Sequence, residues 1–195
     1  MKKITLLVLL WALFGLVNSD IHSDEACDDY KPVFSDEAVD NPPAATSYLV
    51  DRRNPSRYAP VCAFDNRLQT SWVEGKQGDG IGEKFAFQFT AIKSVSIFPG
   101  FGKKRYFTLN NRLKKVSFKI YKIKDVLPHQ CATTFRLGDL VAHEILHFRD
   151  SMTMQTFQIG EHEDERGFIG VIEILEVYRG SRWQDTCIAE IRVED

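Results

Sequence analysis

Residues 168–178, FIGVIEILEVY, are apolar at most positions and rich in β-branched side chains. Because a strand sends alternate side chains to opposite faces of its sheet, this run predicts a central strand that is buried on both faces. Residues 85–90, 115–120 and 189–194 instead alternate apolar with polar side chains, which predicts strands with one buried face. Turns rich in glycine and asparagine separate these stretches, so the sequence predicts an all-β fold, an antiparallel β-sandwich.

The N-terminus has the pattern of a secretory signal peptide. Lys2 and Lys3 precede an apolar run at 4–17, and small residues follow before Asp20. We therefore expect residues 1–19 to be removed on export, which places the protein in a periplasm or outside the cell. The run is shorter than the roughly 20 residues that a membrane-spanning helix needs, and we expect no membrane span.

Residues 20–43 are acidic, contain Pro42 and Pro43, and carry few apolar side chains. This composition predicts an extended N-terminal arm, which leaves residues 44–195 as one folded domain. The formal net charge of the chain is -2. A nucleic-acid-binding surface needs a basic balance, so we expect no nucleic-acid partner.

The four cysteines, Cys27, Cys62, Cys131 and Cys187, lack the C-x-x-C spacing of a zinc or redox site. In an exported protein this number predicts two disulfides. The sequence leaves all three possible pairings open.

His143-Glu144-Ile145-Leu146-His147 matches H-E-x-x-H, the motif of zinc peptidases. That motif binds zinc only on a helix, where the two histidines lie one turn apart. Leu146 and Phe148 instead show a two-residue rhythm, which favours a strand. The acidic cluster at 161–165, which contains His162 as a candidate third ligand, is typical of a solvated turn. We therefore expect the two histidines on one face of a strand, and no peptidase.

Residues 57–89 contain a candidate binding region. Asp65 and Asn66 form a predicted turn, Trp72 lies in an extended segment, and residues 74–83, EGKQGDGIGE, form a glycine-rich loop with three acids. An aromatic ring beside carboxylates on the loops of a rigid sandwich can bind a sugar, which stacks its C–H groups on the ring. The alternative is a core tryptophan with solvated loop acids.

Four motifs occur in the order found in a known family. They are the residues Ala63, Asp65, Thr70, Trp72, Glu74, Gly75, Gly78, Gly80, Ile81, Gly82 and Glu83; the stretch NNRLK at 110–114; the pair Asp150 and Gln155; and EVYRGSRWQDTCIAEIRV at 176–193. In this order they resemble the discoidin-like NADase-type glycan-binding family, also described as the NAD glycohydrolase translocation domain. The similarity covers about residues 45–195, with Ala189 where the family usually has serine.

The resemblance implies a galactose-binding-like (discoidin) jelly roll that binds a glycan or glycoconjugate. It also places the H-E-x-x-H residues on the strand that leads to Asp150. The signal peptide and arm leave no residues for an NAD-cleaving domain, so we expect binding without catalysis. The alternative is an envelope protein-interaction module that does not bind sugar.

For the ligand site we expect Trp72, Glu74, Glu83, Asn111, Arg112 and Tyr178 near the loop end of the sandwich. In this hypothesis Glu83 and Arg112 bond to sugar hydroxyls and an aromatic ring stacks. The alternative is that Glu83 and Arg112 form a structural ion pair and Trp72 lies in the core.

The resemblance also implies a possible structural calcium, with Asp65, Thr70 and Glu190 supplying the oxygen ligands that calcium prefers. The alternative is that the Arg67 guanidinium pairs with Glu190 and takes the place of the cation. We expect no other cofactor.

Overall fold

A computed structural model of the chain describes residues 32–195. The predicted signal peptide, residues 20–31 of the predicted arm, and Cys27 therefore lie outside the described residues. Within the described part there are nine strands: β1 (Ala38–Asp40), β2 (Ala44–Ala45), β3 (Trp72–Val73), β4 (Lys84–Phe98), β5 (Asn111–Pro128), β6 (Thr133–His147), β7 (Gln155–Tyr178), β8 (Thr186–Ile188) and β9 (Glu190–Glu194).

The remaining regular structure consists of short helical turns. Two 3-10 helices span Pro55–Tyr58 and Pro60–Ala63, and a one-turn helix, α1, spans Lys104–Phe107. Nowhere in residues 32–195 does a helix reach the length and apolar character that a bilayer span requires.

The strands pair in the order β1-β6-β5-β7-β4-β2, and every neighbour in this order is antiparallel. Strand β9 adds to β4, and β8 lies parallel to β5 and antiparallel to β3. The prediction of an all-β antiparallel fold is confirmed. Two long strands, β4 and β7, run beside each other for most of their length and form the centre of the fold.

Strand β7 is buried on both faces where the sequence predicted it. Phe168 and Ile172 pack into the main core, while Ile169 and Val171 belong to a smaller cluster on the opposite face. Between them lies Gly170, where a Cβ atom would come within 2.9 Å of the Phe118 ring. The crowding of aromatic rings at this point therefore requires a residue without a side chain.

Part of the segment predicted as an extended N-terminal arm belongs to the folded sheet. Strand β1 pairs with β6, and Val39 at its centre is fully buried against the smaller core cluster. The Asp40 carboxylate is also buried and accepts hydrogen bonds from the Val33 amide (2.7 Å) and the Thr134 hydroxyl (2.5 Å). Residues 38–40 thus belong to the sheet, although the sequence placed them in the arm.

The H-E-x-x-H residues lie on a strand, as predicted. His143 and His147 are exposed residues of β6, opposite Lys119 and Lys115 of β5. His143 Nε2 lies 2.9 Å from the Ser117 hydroxyl. In the part of the chain that the structure describes, no group of three or more histidine, cysteine or acidic side chains is arranged to hold a metal ion.

Two predictions are wrong. Residues 161–165 are part of β7, not a turn between two strands. The strand continues through them with register shifts against β4, and Gly160 and Gly167 adopt positive φ on either side.

Cys62 and Cys187 are buried free thiols, so the chain does not contain two disulfides. Burial also raises the pKa of both thiols. Cys131, the third cysteine among the described residues, is disulfide-bonded.

Candidate functional site

Three connections between strands enclose a groove of about 470 Å³. They are residues 46–71 before β3, residues 99–110 between β4 and β5, and residues 179–185 between β7 and β8. Loops on a rigid sandwich are common places for binding sites, because the strands hold them while their side chains vary. The groove is large enough for a small ligand such as a sugar unit.

Aromatic rings form a continuous row along this groove. The rings of Tyr58, Phe101, Tyr106 and Trp183 all line it, and each is partly exposed. Successive ring centroids lie 6.4, 5.3 and 6.2 Å apart. Aromatic side chains that keep an exposed face offer a flat apolar surface with polar tips. We name this row and the space above it the aromatic groove.

Polar side chains complete the lining. Gln69, Asn110 and Asp185 face the groove beside the rings. The Asn110 amide donates to the Tyr106 carbonyl at 2.9 Å, which leaves its side-chain oxygen as an acceptor. Burial raises the pKa of the Asp185 carboxyl, and no other described residue donates a hydrogen bond to that carboxylate. The groove thus offers one free carboxylate among its rings.

The sequence analysis did not select these groove residues. Each ring lies in a short stretch that also holds basic residues and, in two of three cases, glycine: SRY at 56–58, GFGKKRYF at 100–107 and RGSRW at 179–183. Aromatic side chains in such stretches are the available signal, but nothing in the linear sequence says that the three stretches meet.

Trp72, Glu74 and Glu83 are all buried. The Trp72 indole N–H donates to the Ser47 carbonyl at 3.0 Å, and its ring packs in the core, as the alternative expected. Glu83 accepts hydrogen bonds from the hydroxyls of Thr46 (2.7 Å) and Ser47. These bonds hold residues 46–49, at the groove wall, against the sandwich.

Glu74 is a fully buried carboxyl beneath the glycine-rich loop. It accepts hydrogen bonds from the backbone amides of Thr186 (3.2 Å) and Lys76 (2.8 Å). Burial raises its pKa to about 7, more than these bonds lower it, and Asp185 and Glu83 add a smaller upward effect.

Asn111, Arg112 and Tyr178 are also occupied by protein partners. Asn111 donates to the Gln184 carbonyl (2.5 Å) and accepts from the Gly180 amide (2.8 Å). The Tyr178 hydroxyl donates to the Phe148 carbonyl at 2.9 Å. Asn111 therefore holds both ends of the connection that carries Trp183.

Arg112 is buried and pairs with Asp150, not with Glu83. Its guanidinium donates to both Asp150 carboxylate oxygens, at 3.0 and 2.5 Å. It also donates to the carbonyls of Asn110 (3.1 Å) and Arg179 (2.8 Å). The expected alternative of a Glu83–Arg112 ion pair is wrong. None of the six predicted ligand residues lines the aromatic groove. Four of them bond to the connections that line it: Trp72, Glu83, Asn111 and Arg112.

The three predicted calcium ligands lie near one another. The Thr70 hydroxyl lies 2.9 and 2.7 Å from the two Asp65 carboxylate oxygens, and Asp65 is close enough to raise the pKa of Glu190. Glu190 is 1% exposed, burial is the main cause of its raised pKa, and its Oε2 atom has no hydrogen-bond partner. An orphaned buried carboxylate oxygen with a second carboxylate nearby fits a hard cation such as calcium.

Arg67 does not take the place of that cation. Its side chain is exposed, and its contribution to Glu190 comes from its backbone amide. The cation paired with Glu190 in the described residues is Arg192, whose Nε lies 3.9 Å from Oε1. Since Arg192 is half exposed and sits on the other carboxylate oxygen, Oε2 stays without a partner.

Comparison with known proteins agrees with the motifs. The family model described as "NAD glycohydrolase translocation F5/8 type C domain" matches residues 36–194. The C-terminal domain of a chitobiase from Bacteroides fragilis has a similar structure, with a TM-score of 0.51 and 13% identity over 84% of this chain and 97% of that one. No curated protein sequence matches significantly.

A second similar structure is the module CpGH89CBM32-5 from Clostridium perfringens, solved in complex with GalNAc-β-1,3-galactose. Its TM-score is 0.50, with 15% identity over 81% of this chain and 95% of that one. At this level of sequence identity the structural similarity concerns the fold alone, and it confirms the predicted galactose-binding-like (discoidin) β-sandwich.

Proposed function

Because the chain belongs to the NAD glycohydrolase translocation F5/8 type C domain family, we propose that it is a non-catalytic carbohydrate-binding protein whose site is the aromatic groove. The observation that carries the proposal is the row of four partly exposed rings beside Asn110 and Asp185. A sugar ring stacks its apolar face on such rings while amides and carboxylates bond to its hydroxyls.

The number and placement of acidic residues at the aromatic groove favour ligand binding over catalysis. Glycoside hydrolysis needs two carboxylates on either side of the bond to be cleaved. Asp185 is the one acid among the described residues that line the groove. Glu74 has a pKa near neutrality, as a general acid needs, but it is fully enclosed and its two oxygens accept backbone hydrogen bonds. We infer that the groove binds its ligand unchanged.

The six residues predicted as ligands keep an indirect part in this proposal. Asn111 and Arg112 bond to the connection that carries Trp183 and Asp185, and Glu83 bonds to the segment that leads into the groove wall. We propose that they position the site and do not touch the sugar. The predicted signal peptide supports a role outside the cytoplasm, in a periplasm or at a cell surface.

The test is a saccharide-binding measurement on residues 20–195. A glycan array identifies a ligand, and calorimetry then compares the wild type with Trp183→Ala and Tyr106→Ala. We expect each variant to bind at least about fivefold more weakly while keeping its melting temperature, because each ring lies partly exposed at the groove.

Tyr121→Ala is the matched control, since Tyr121 is a half-buried ring on β5 packed against the smaller core cluster, and it should leave affinity unchanged. If the array shows no saccharide binding, the alternative of an envelope protein-interaction module becomes the better hypothesis. If binding survives in both groove variants, the protein binds sugar at another place.

A further inference from the structure

We propose that the sugar bound in the aromatic groove carries a negative charge, as a carboxylate or a sulfate ester. This inference rests on the proposed function and adds the chemical class of the ligand. The observation behind it is the placement of arginines on the rings that form the groove.

Three of the four groove rings have an arginine guanidinium over them. The distances from guanidinium carbon to ring centroid are 5.2 Å for Arg57 and Tyr58, 6.0 Å for Arg105 and Tyr106, and 4.8 Å for Arg182 and Trp183. A guanidinium stacked on a ring is held in place while its N–H groups stay free to donate. The same rings on which a sugar would stack therefore position cations at the edge of the groove.

A fourth cation, Lys103, lines the groove directly and is exposed. Within the described part of the chain, Lys103, Arg105 and Arg182 form no ion pair with an acidic side chain. Their charges are thus available to a ligand. A planar guanidinium binds a carboxylate or a sulfate through two parallel hydrogen bonds, and that geometry is specific to such groups.

Two acids lie among these cations. Asp51 pairs with Arg57 at 3.0 Å, and Asp185 lines the groove. Four cations against two acids leave this surface positive, although the formal charge of the whole chain is -2. An excess of positive charge on one surface of a net acidic chain attracts anionic ligands to that surface.

The rings favour an anionic saccharide over other anions. A lipid surface or a nucleic acid would meet the same cations, but the row of rings lies inside a groove of about 470 Å³, which suits one or two sugar units. Asp185 and Asn110 add acceptors for hydroxyl groups, of which a saccharide has several.

The experiment is a pair of matched ligand series measured by calorimetry on residues 20–195. Oligogalacturonate is compared with the same oligosaccharide after methyl esterification, which removes the carboxylate charge and keeps the sugar. Sulfated galactan oligosaccharides are compared with their desulfated form. Each measurement is made at about 0.05 M and about 0.5 M salt, because salt screens exposed charges.

We expect a charged form to bind at least about fivefold more tightly than its neutral counterpart at low salt, with a smaller difference at high salt. Lys103→Gln and Arg182→Gln should each weaken binding of the charged form about two- to fivefold more than they weaken binding of the neutral form. Lys124→Gln, which removes an exposed lysine on β5, is the control and should change neither. Preference within only one series identifies whether the group is a carboxylate or a sulfate ester.

Equal affinity for charged and neutral forms would overturn this inference and leave carbohydrate binding in place. Binding to neither form, together with an empty glycan array, would overturn the proposed function itself. Tighter binding to vesicles with anionic lipid, or to an oligonucleotide, than to every saccharide would overturn the choice of ligand class.

Discussion

Glu74 shows how one enclosed side chain can make stability depend on pH. Its carboxyl is fully buried, and burial raises its pKa from the ordinary 4.5 to about 7. A group whose pKa is higher in the folded than in the unfolded protein stabilises the fold below its unfolded pKa. That stabilisation is lost as the pH rises through the folded pKa.

We therefore predict that Glu74 makes the folded protein less stable as the pH rises from about 4.5 to about 7. The effect is on the order of 3 kcal/mol. Glu74→Gln cannot ionise, so its melting temperature relative to the wild type should improve between pH 5 and pH 8. Thermal unfolding at both pH values is the measurement.

Glu161→Gln removes an exposed carboxylate and serves as the control. Its melting temperature should run parallel to that of the wild type at both pH values. A constant difference between Glu74→Gln and the wild type would show that Glu74 keeps the same charge across this range.

Glu190 carries a second prediction at this scale. Its Oε2 atom has no hydrogen-bond partner, and burial and the Asp65 carboxylate raise the pKa of Glu190, so a calcium ion there would relieve the repulsion between the two carboxylates. Calcium at about a hundredfold excess over its Kd should raise the melting temperature by roughly 5–10 °C relative to a chelator. Glu190→Gln should abolish this response, whereas Glu194→Gln, at the exposed end of β9, should keep it. Identical melting curves with calcium and with chelator would show that the fold does without the ion.

At the scale of elements, Arg112 joins three parts of the fold. It is the second residue of β5, pairs with Asp150 after β6, and donates to the Arg179 carbonyl after β7. Removing it leaves two carbonyls without donors and one carboxylate without its partner, and each loss costs stability.

We predict that Arg112→Ala lowers the free energy of unfolding by about 2–4 kcal/mol. Arg112→Lys should recover only part of this, because a lysine cannot bond to both Asp150 oxygens and both carbonyls. Lys114→Ala on the same strand breaks only a half-exposed pair with Glu176, and should cost less than about 1 kcal/mol.

Urea unfolding gives these values, and saccharide binding by the folded fraction separates the two roles of Arg112. Affinity that falls while stability stays at the wild-type level would mean that Arg112 contacts the ligand, as the sequence suggested. These bonds also explain why Arg112 of the NNRLK motif at 110–114 supports the groove without lining it, whereas Asn110 of the same motif lines it.

In the whole molecule, the N-terminal boundary of the fold depends on which segment covers the hydrophobic core. Strand β1 places Val39 over the cluster that contains Ile169 and Val171 of the central strand. Without β1 these side chains would lose their cover, and burying a single valine is worth roughly 1.5–3 kcal/mol.

We predict that a chain starting at residue 44 is less stable than one starting at residue 32 by at least about 2 kcal/mol. The measurement is the urea midpoint of both chains under the same reducing conditions. Equal midpoints would mean that the domain begins at residue 44, as composition alone suggested.

The sequence by itself determined the all-β fold and its centre. Strand periodicity depends on neighbours two residues apart, so alternation at 85–90 and 115–120, and burial on both faces at 168–178, could be recognised without knowing the partners. The same local signal identified the H-E-x-x-H residues as part of a strand. The motifs also located the connections around the site.

Only the tertiary structure decided which residues line the groove. Trp72, Glu83 and Arg112 have the chemistry of a sugar site, but the fold gives their polar groups to backbone and side-chain partners. The rings of Phe101 and Trp183, far apart in the chain, line one groove because the backbone amides of residues 181–183 donate to the carbonyls of Thr108 and Leu109. The physical reason is that exposure and long-range proximity depend on packing between distant segments, whereas a strand pattern is written in adjacent residues.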